Sequence, residues 1–358
     1  MRKVKRFLLR LWARQKKKKG IPKPLSLFQP EKVEKILVVS CTAIGDSLLS
    51  TPAIRATREL FPRAHITWLI KPSVAPLFSN NPHVDAFLHY RGGFRGIWKL
   101  LKRFQFDLVL DFHDSDEGPV VMACLAEVPF ILRSALKDHH AAPFLSERIP
   151  YRIEAHVIEQ RLDVLRYLLG EPERKFQTRL VLPVSPSDRL FAQKLLNWSG
   201  LKIGFQCRAS RPFREWPLER FSTLVERLLR RFPESRIFLL GSHKDRSYLS
   251  SLERERVTNL AGLIPLRHLA GVVKELDLLV TVDTGPMHVA FAVGTPTVCL
   301  FVPSEVRHTG PYQDLERHRV IQKDRPCKPC KRKYCEKPWC MELISVEEVF
   351  QACEEALS

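Results

Sequence analysis

The sequence predicts an α/β protein made of two doubly wound, Rossmann-like halves facing a central cleft. Three observations carry this. Apolar runs of strand length recur at 35–40 (KILVVS), 65–70 (HITWLI), 106–112 (FDLVLDF), 201–206 (LKIGFQ), 236–241 (RIFLLG), 278–282 (LLVTV) and 297–302 (TVCLFV). Helical segments separate them, and that alternation indicates parallel sheets wrapped by helices. Residues 171–187 are charged and then carry Pro183 and Pro186, the pattern of an interdomain linker in a chain of 358 residues.

The formal charge is +19 and unevenly placed, with eleven Lys and Arg and no acid in residues 1–24. Val4, Phe7, Leu8, Leu11 and Trp12 fall on one helical face there, with cations over the rest. The apolar stretch is too short and too interrupted for a transmembrane helix or a signal peptide. A basic amphipathic helix of this kind suits an anionic membrane surface; a disordered basic tail or a nucleic-acid arm is the plainer alternative. Residues 20–30 hold three prolines and read as a linker. A hydrophobic fraction of 45% excludes a disordered chain. Nine cysteines, five of them scattered in apolar segments, suit an intracellular protein better than a secreted disulfide framework.

In chain order, a helical segment over 47–60 follows the first strand, and Pro52 in it implies a kink or a fresh start capped by Thr51. Helices are expected over 98–104, 155–169 (stopped by Gly170), 190–198, 218–231, 245–254, 266–274 and 344–357. Residues 278–303 organise the second half as strand, turn, short helix and strand. Pro286 suits the first helical position, and Gly294 with Pro296 ends the helix. A strand feeding a Gly turn into a helix N-terminus can bind an anion through unpaired N–H groups, with His288 as an added donor. It can equally be an ordinary capped unit.

Three loops follow strands where a cleft would lie. In the first, Thr42–Asp46, Gly45 permits close backbone approach, and Asp46 is either a helix N-cap or a general base at the cleft lip. The second, 206–217, carries Arg208, Arg211 and Arg214, suited to phosphate or simply solvated. The third spans 283–288. A D-x-D at Asp114–Asp116 beside His113 reads as a polar loop, not a metal site.

Four motifs then carry a family resemblance over residues 35–356: AIGDSLLSTPAIRA (43–56), FREWPLERF (213–221), LLGSHKD with NLAG (239–245, 259–262), and VDTGPMHVAFAVGTPTVCLFVPSEVRHTGPY (282–312). The chain resembles the lipopolysaccharide heptosyltransferases, the GT-B glycosyltransferases of family 9 that use ADP-heptose. The resemblance implies Asp46 as catalytic base, Thr284, Gly285 and His288 around the donor diphosphate, Asp283 as a donor-site carboxylate and Asp245 on the ribose. Arg214 stands where the family commonly has Lys. Thr42, Gly45, Arg208 and Ile264 are further candidate loop contacts. The implied reaction is an inverting transfer of heptose to a lipid-linked inner-core acceptor, without a cofactor, on the cytoplasmic face of the inner membrane. Four parts follow: residues 1–30 as tail and linker, 31–184 on the acceptor side, 185–343 binding the nucleotide sugar, and a helix over 344–358 crossing back to the first domain. A GT-B protein with another donor, or with no activity, stays open.

Cys327, Cys330, Cys335 and Cys340 are spaced C-x2-C-x4-C-x4-C, compact enough for one structural Zn²⁺. Reduced thiols, disulfides or an iron–sulfur site are the alternatives. The spacing also copies a zinc knuckle, so a zinc-dependent nucleic-acid-binding module is the rival function, although the family resemblance leads us to expect no nucleic acid.

Overall fold

The structure, a computed structural model, describes residues 11–358 apart from 13, 14, 17, 19, 93, 94, 113–116, 135–141, 303, 304, 325, 326, 328–334 and 336–338. The D-x-D loop, His113, Cys330 and most of the basic segment therefore lie outside the described residues. The chain forms two compact units, residues 1–75 with 81–178 and residues 76–80 with 179–358.

The first unit is built on β1 (Lys35–Val39), β2 (His65–Ile70), β3 (Ala86–His89), β4 (Leu108–Asp111) and β5 (Phe130–Arg133). All pair in parallel, in the order β3-β2-β1-β4-β5. The second is built on β6 (Lys202–Gln206), β7 (Arg236–Leu239), β8 (Val257–Asn259), β9 (Leu278–Val282), β10 (Thr297–Leu300) and β11 (His318–Ile321), in the order β11-β10-β9-β6-β7-β8, again parallel. Every residue of β9 is buried, as are four of the five in β1. Helices covering both faces of a parallel sheet make its central strands continuous apolar runs, which is why these strands are legible in sequence. Each fully buried Leu or Val there contributes roughly 1.5–3 kcal/mol.

Strand order reverses beside β1 in the first sheet and beside β6 in the second. The crevice at the carboxyl ends of β1 and β4, and of β6 and β9, is where such sheets bind ligands. Val39 pairs with Asp111 across the first of these points, and Gln206 with Thr281 across the second.

The expected helix over 47–60 is two helices, Ile44–Leu49 and Thr51–Leu60, joined at Ser50. Pro52 has no N–H to give the Leu48 carbonyl, and the Thr51 hydroxyl bonds that carbonyl instead at 2.7 Å. Thr51 thus mends the break from inside and does not cap it. The helix expected over 190–198 is Pro186–Leu195, started early by a Ser185–Asp188 capping box with Pro at its first position. The linker is correspondingly shorter than expected. The closing helix Val346–Leu357 packs into the second unit's core. A Ser345–Glu348 capping box starts it, and Val349, Phe350 and Cys353 pack with β9, β10 and β11.

Candidate active site

Asp46 is the third residue of helix Ile44–Leu49, whose N-cap is Ala43 with no side-chain cap. The N-cap reading of Asp46 therefore falls, and its carboxylate is available for other partners. Its side chain is 46% exposed. Arg161, on helix Val157–Leu169 and almost fully buried, donates from one Nη to the main-chain carbonyl of Asp46. Its other Nη lies 3.6 Å from Oδ1 of the same residue. That carbonyl needs a partner because the Ser50 N–H turns to Ser47, and the Ser50 hydroxyl also bonds it, at 3.1 Å. The helix break at Ser50–Pro52 thus creates the acceptor that Arg161 uses to grip the Asp46 backbone.

Asp46 and Arg161 line a recess of about 420 Å³ with Asp111, Ser134, Tyr151 and Gln160. Asp111, which lines it, lies 3.6 Å from Arg133 at the ends of β4 and β5, and both side chains are wholly buried. A buried pair of this kind is costly to break and fixes the strand ends. Ser134 Oγ, buried at the recess, has no hydrogen-bond partner among the described residues. Thr42 Oγ1 and Ser47 Oγ, in the loop and helix that carry Asp46, share that state. Such hydroxyls can hydrogen-bond a polar ligand. Gly45 is buried at the helix start.

In the second unit Arg214 reaches Asp283 at 3.1 Å, so the loop after β6 is tied to the end of β9. Asp283 is 5% exposed. Nε of Arg214 has no partner among the described residues, which leaves its fork half engaged. Thr284 then N-caps helix Gly285–Val293 in extended conformation without a side-chain bond. Pro286 carries no N–H, so Gly285 and Met287 supply the donors of the first turn. The His288 ring is buried and edge-on to Phe291 at 5.8 Å. Trp216, buried, donates to the Ile344 carbonyl at 3.0 Å and anchors the loop that presents Arg214.

Arg208 belongs to a second cluster. It pairs with Glu215, lies 3.4 Å from Asp245 Oδ1, and sits over the Tyr248 ring at 4.3 Å. Asp245 also accepts from the Ser242 N–H (2.8 Å) and hydroxyl (2.6 Å). Burial raises the Glu215 carboxyl above the ordinary carboxylate value against the opposing Ala209 N–H and Arg208, and burial raises the Tyr248 phenol too. Gly262, at φ +79°, lets the 259–262 turn lie against the backbone of His243, which a Cβ would meet at 2.8 Å. Ile264 follows that turn, half-buried.

Of the residues singled out in sequence, the structure joins Arg214 to Asp283 and Arg208 to Asp245, and leaves Arg211 exposed with no described role. Sequence reasoning missed Arg161, Ser134, Glu215 and Tyr248. Glu215 was visible inside FREWP, and Arg161 as a lone cation among Ile158, Leu162 and Leu165. In the cysteine cluster Cys327 is exposed, Cys335 half-buried and Cys340 buried beside Met341 in the second core. No group of three metal-ligating side chains forms among the described residues.

Two parallel doubly wound units, each with polar and charged side chains at its switch point, give the GT-B architecture. The chain belongs to glycosyltransferase family 9, the heptosyltransferases, whose model matches residues 94–340. It is similar to the lipopolysaccharide core heptosyltransferase OpsX of Haemophilus influenzae, 22% identical over 87% of this chain and 92% of that one. Lipopolysaccharide heptosyltransferase 1 of Pseudomonas aeruginosa is 24% identical over 84% and 87%. Among solved structures, a family 9 glycosyltransferase from Veillonella parvula superposes with a TM-score of 0.79 at 24% identity, covering 90% of this chain and 97% of that one. The ADP-heptose lipopolysaccharide heptosyltransferase II of E. coli superposes at 0.73 and 22%, covering 90% and 98%. Both share the fold.

Proposed function

We propose that this chain transfers heptose from ADP-heptose to an inner-core lipopolysaccharide sugar, with inversion at the anomeric carbon. The observation that carries the reading is Asp46, half-exposed beside Arg161 on a polar recess at the first switch point. A carboxylate so placed, with hydroxyls unpaired around it, suits a sugar acceptor. Asp46 removes the proton of the acceptor hydroxyl as its oxygen attacks the anomeric carbon. The bond from that carbon to the diphosphate breaks, and ADP leaves with the electron pair. A single displacement of this kind inverts the centre. Negative charge growing on the diphosphate meets Arg214, oriented by Asp283, and the N–H groups of Gly285 and Met287 at the helix start. Fixed cations and a helix N-terminus supply the stabilisation that a metal gives in other transferases, and Asp245 receives the ribose.

Residues 1–24 hold the enzyme on the cytoplasmic face of an anionic membrane, where a lipid-linked acceptor is reached. Residues 11, 12, 15, 16 and 18 are helical, and Leu11 and Trp12 are 41% and 44% exposed. No helix among the described residues is long and apolar enough to cross a membrane.

Calorimetric titration with ADP, UDP and GDP, each with EDTA present, tests the donor assignment. Selective ADP binding is expected. Preference for UDP or GDP would assign another donor, and no binding to any of the three would remove the transferase reading.

A further inference from the structure

Helix Arg95–Phe104 lies outside the machinery just described, yet its exposed surface is unusual. Lys99, Lys102 and Arg103 fall on one face at helical spacing, and all three are exposed. Apolar groups flank these cations. Phe104 is 39% exposed and stacks on Phe106 at 5.9 Å. Trp98 is half-buried, with Lys102 Nζ 5.6 Å from its ring centroid.

The same helix is where the basic segment docks. Trp12 meets Trp98 with ring centroids 6.3 Å apart. Lys16 pairs with Glu127, and the Lys23 N–H donates to the Pro129 carbonyl at 2.7 Å. Trp98 itself donates to the Leu125 carbonyl at 3.3 Å, so both segments close on the turn 125–129. These contacts use only part of each indole, since Trp12 stays 44% exposed.

We propose that helix Arg95–Phe104 and the segment around Trp12 form one composite membrane-binding face, whose partner is an anionic phospholipid surface. The charge pattern chooses that occupant. Amphipathic aromatics with a cationic rim match the interfacial zone of a bilayer, where rings sit at headgroup level and Lys and Arg reach the phosphates. Duplex nucleic acid offers no apolar layer to receive Leu11, Trp12 and Phe104. The inference extends the reading of residues 1–24 and places half of the binding surface on the folded unit.

The test is co-sedimentation of the full chain with vesicles of phosphatidylcholine, with or without phosphatidylglycerol, comparing wild type with K99E/K102E/R103E and with a chain lacking residues 1–24. Wild type is expected to bind only vesicles containing phosphatidylglycerol. The triple variant, with its first segment intact, is expected to lose roughly 100-fold or more, because each of the three cations near an anionic surface contributes about fivefold. Its thermal midpoint and turnover on a soluble acceptor fragment should match wild type, and K99Q/K102Q/R103Q should lose less. Wild-type binding by the triple variant would overturn the composite face while leaving the membrane role of residues 1–24 standing. Failure of wild type to bind anionic vesicles would overturn both. Tighter binding to a duplex oligonucleotide than to vesicles, lost in the triple variant, would reassign the face to nucleic acid.

Discussion

Arg161 holds Asp46 at two points, donating to its main-chain carbonyl and standing 3.6 Å from its carboxylate. The cation is buried and the carboxylate half-exposed, so the first acts as a fixed support for the second. Replacing Arg161 by Met should lower turnover by roughly 10- to 100-fold, since small misplacements of a reacting group have effects of that size. Affinity for ADP should not change. Arg161→Lys should recover only part, because an ammonium cannot span both contacts. Single-turnover kinetics beside ADP titration separates these outcomes.

Arg214 is tied to Asp283 at 3.1 Å at the second switch point. Arg214→Ala should weaken ADP binding by about 10- to 100-fold, the range for a lost charge-assisted contact. It also takes a cation from beside a buried carboxylate, so its thermal midpoint should fall as well. The double variant R214A/D283N should restore the midpoint but not the affinity. Calorimetry and thermal unfolding read the two effects apart.

His318 opens β11, buried edge-on to Phe291 at 4.7 Å, with Nδ1 2.9 Å from the Thr297 hydroxyl. Burial lowers its pKa to about 4. The unfolded chain, with an ordinary His value near 6.5, therefore binds the proton first as pH falls. The native state is fully favoured above about pH 6.5 and loses on the order of 2–3 kcal/mol as pH drops toward 4. Denaturant midpoints at pH 7 and pH 5 should show about half to two-thirds of that loss in wild type and a smaller one in His318→Gln.

Deletion of residues 1–24 should reduce binding to anionic vesicles at least roughly fivefold while sparing transfer to a soluble acceptor fragment. Unchanged vesicle binding would contradict the membrane role given to that segment.

The sequence was most legible where both faces of a strand are covered. β1, β9 and β10 are almost wholly apolar and buried, and can be read directly. β3, β5 and β11 are four-residue strands at sheet edges, and β11 (HRVI) mixes two polar residues into four, so no period marks them. At the candidate site, the N-cap alternative for Asp46 falls because the helix begins at Ile44 with Ala43 as its cap. Arg161 could not be assigned, because its partner lies 115 residues away.

The most direct measurement is the effect of Asp46→Asn on turnover and on ADP affinity in one preparation. The substitution keeps shape and removes the base. The account predicts turnover reduced by roughly 100- to 10,000-fold with ADP affinity within about twofold of wild type. Turnover near the wild-type level would contradict it and place the base elsewhere in the chain.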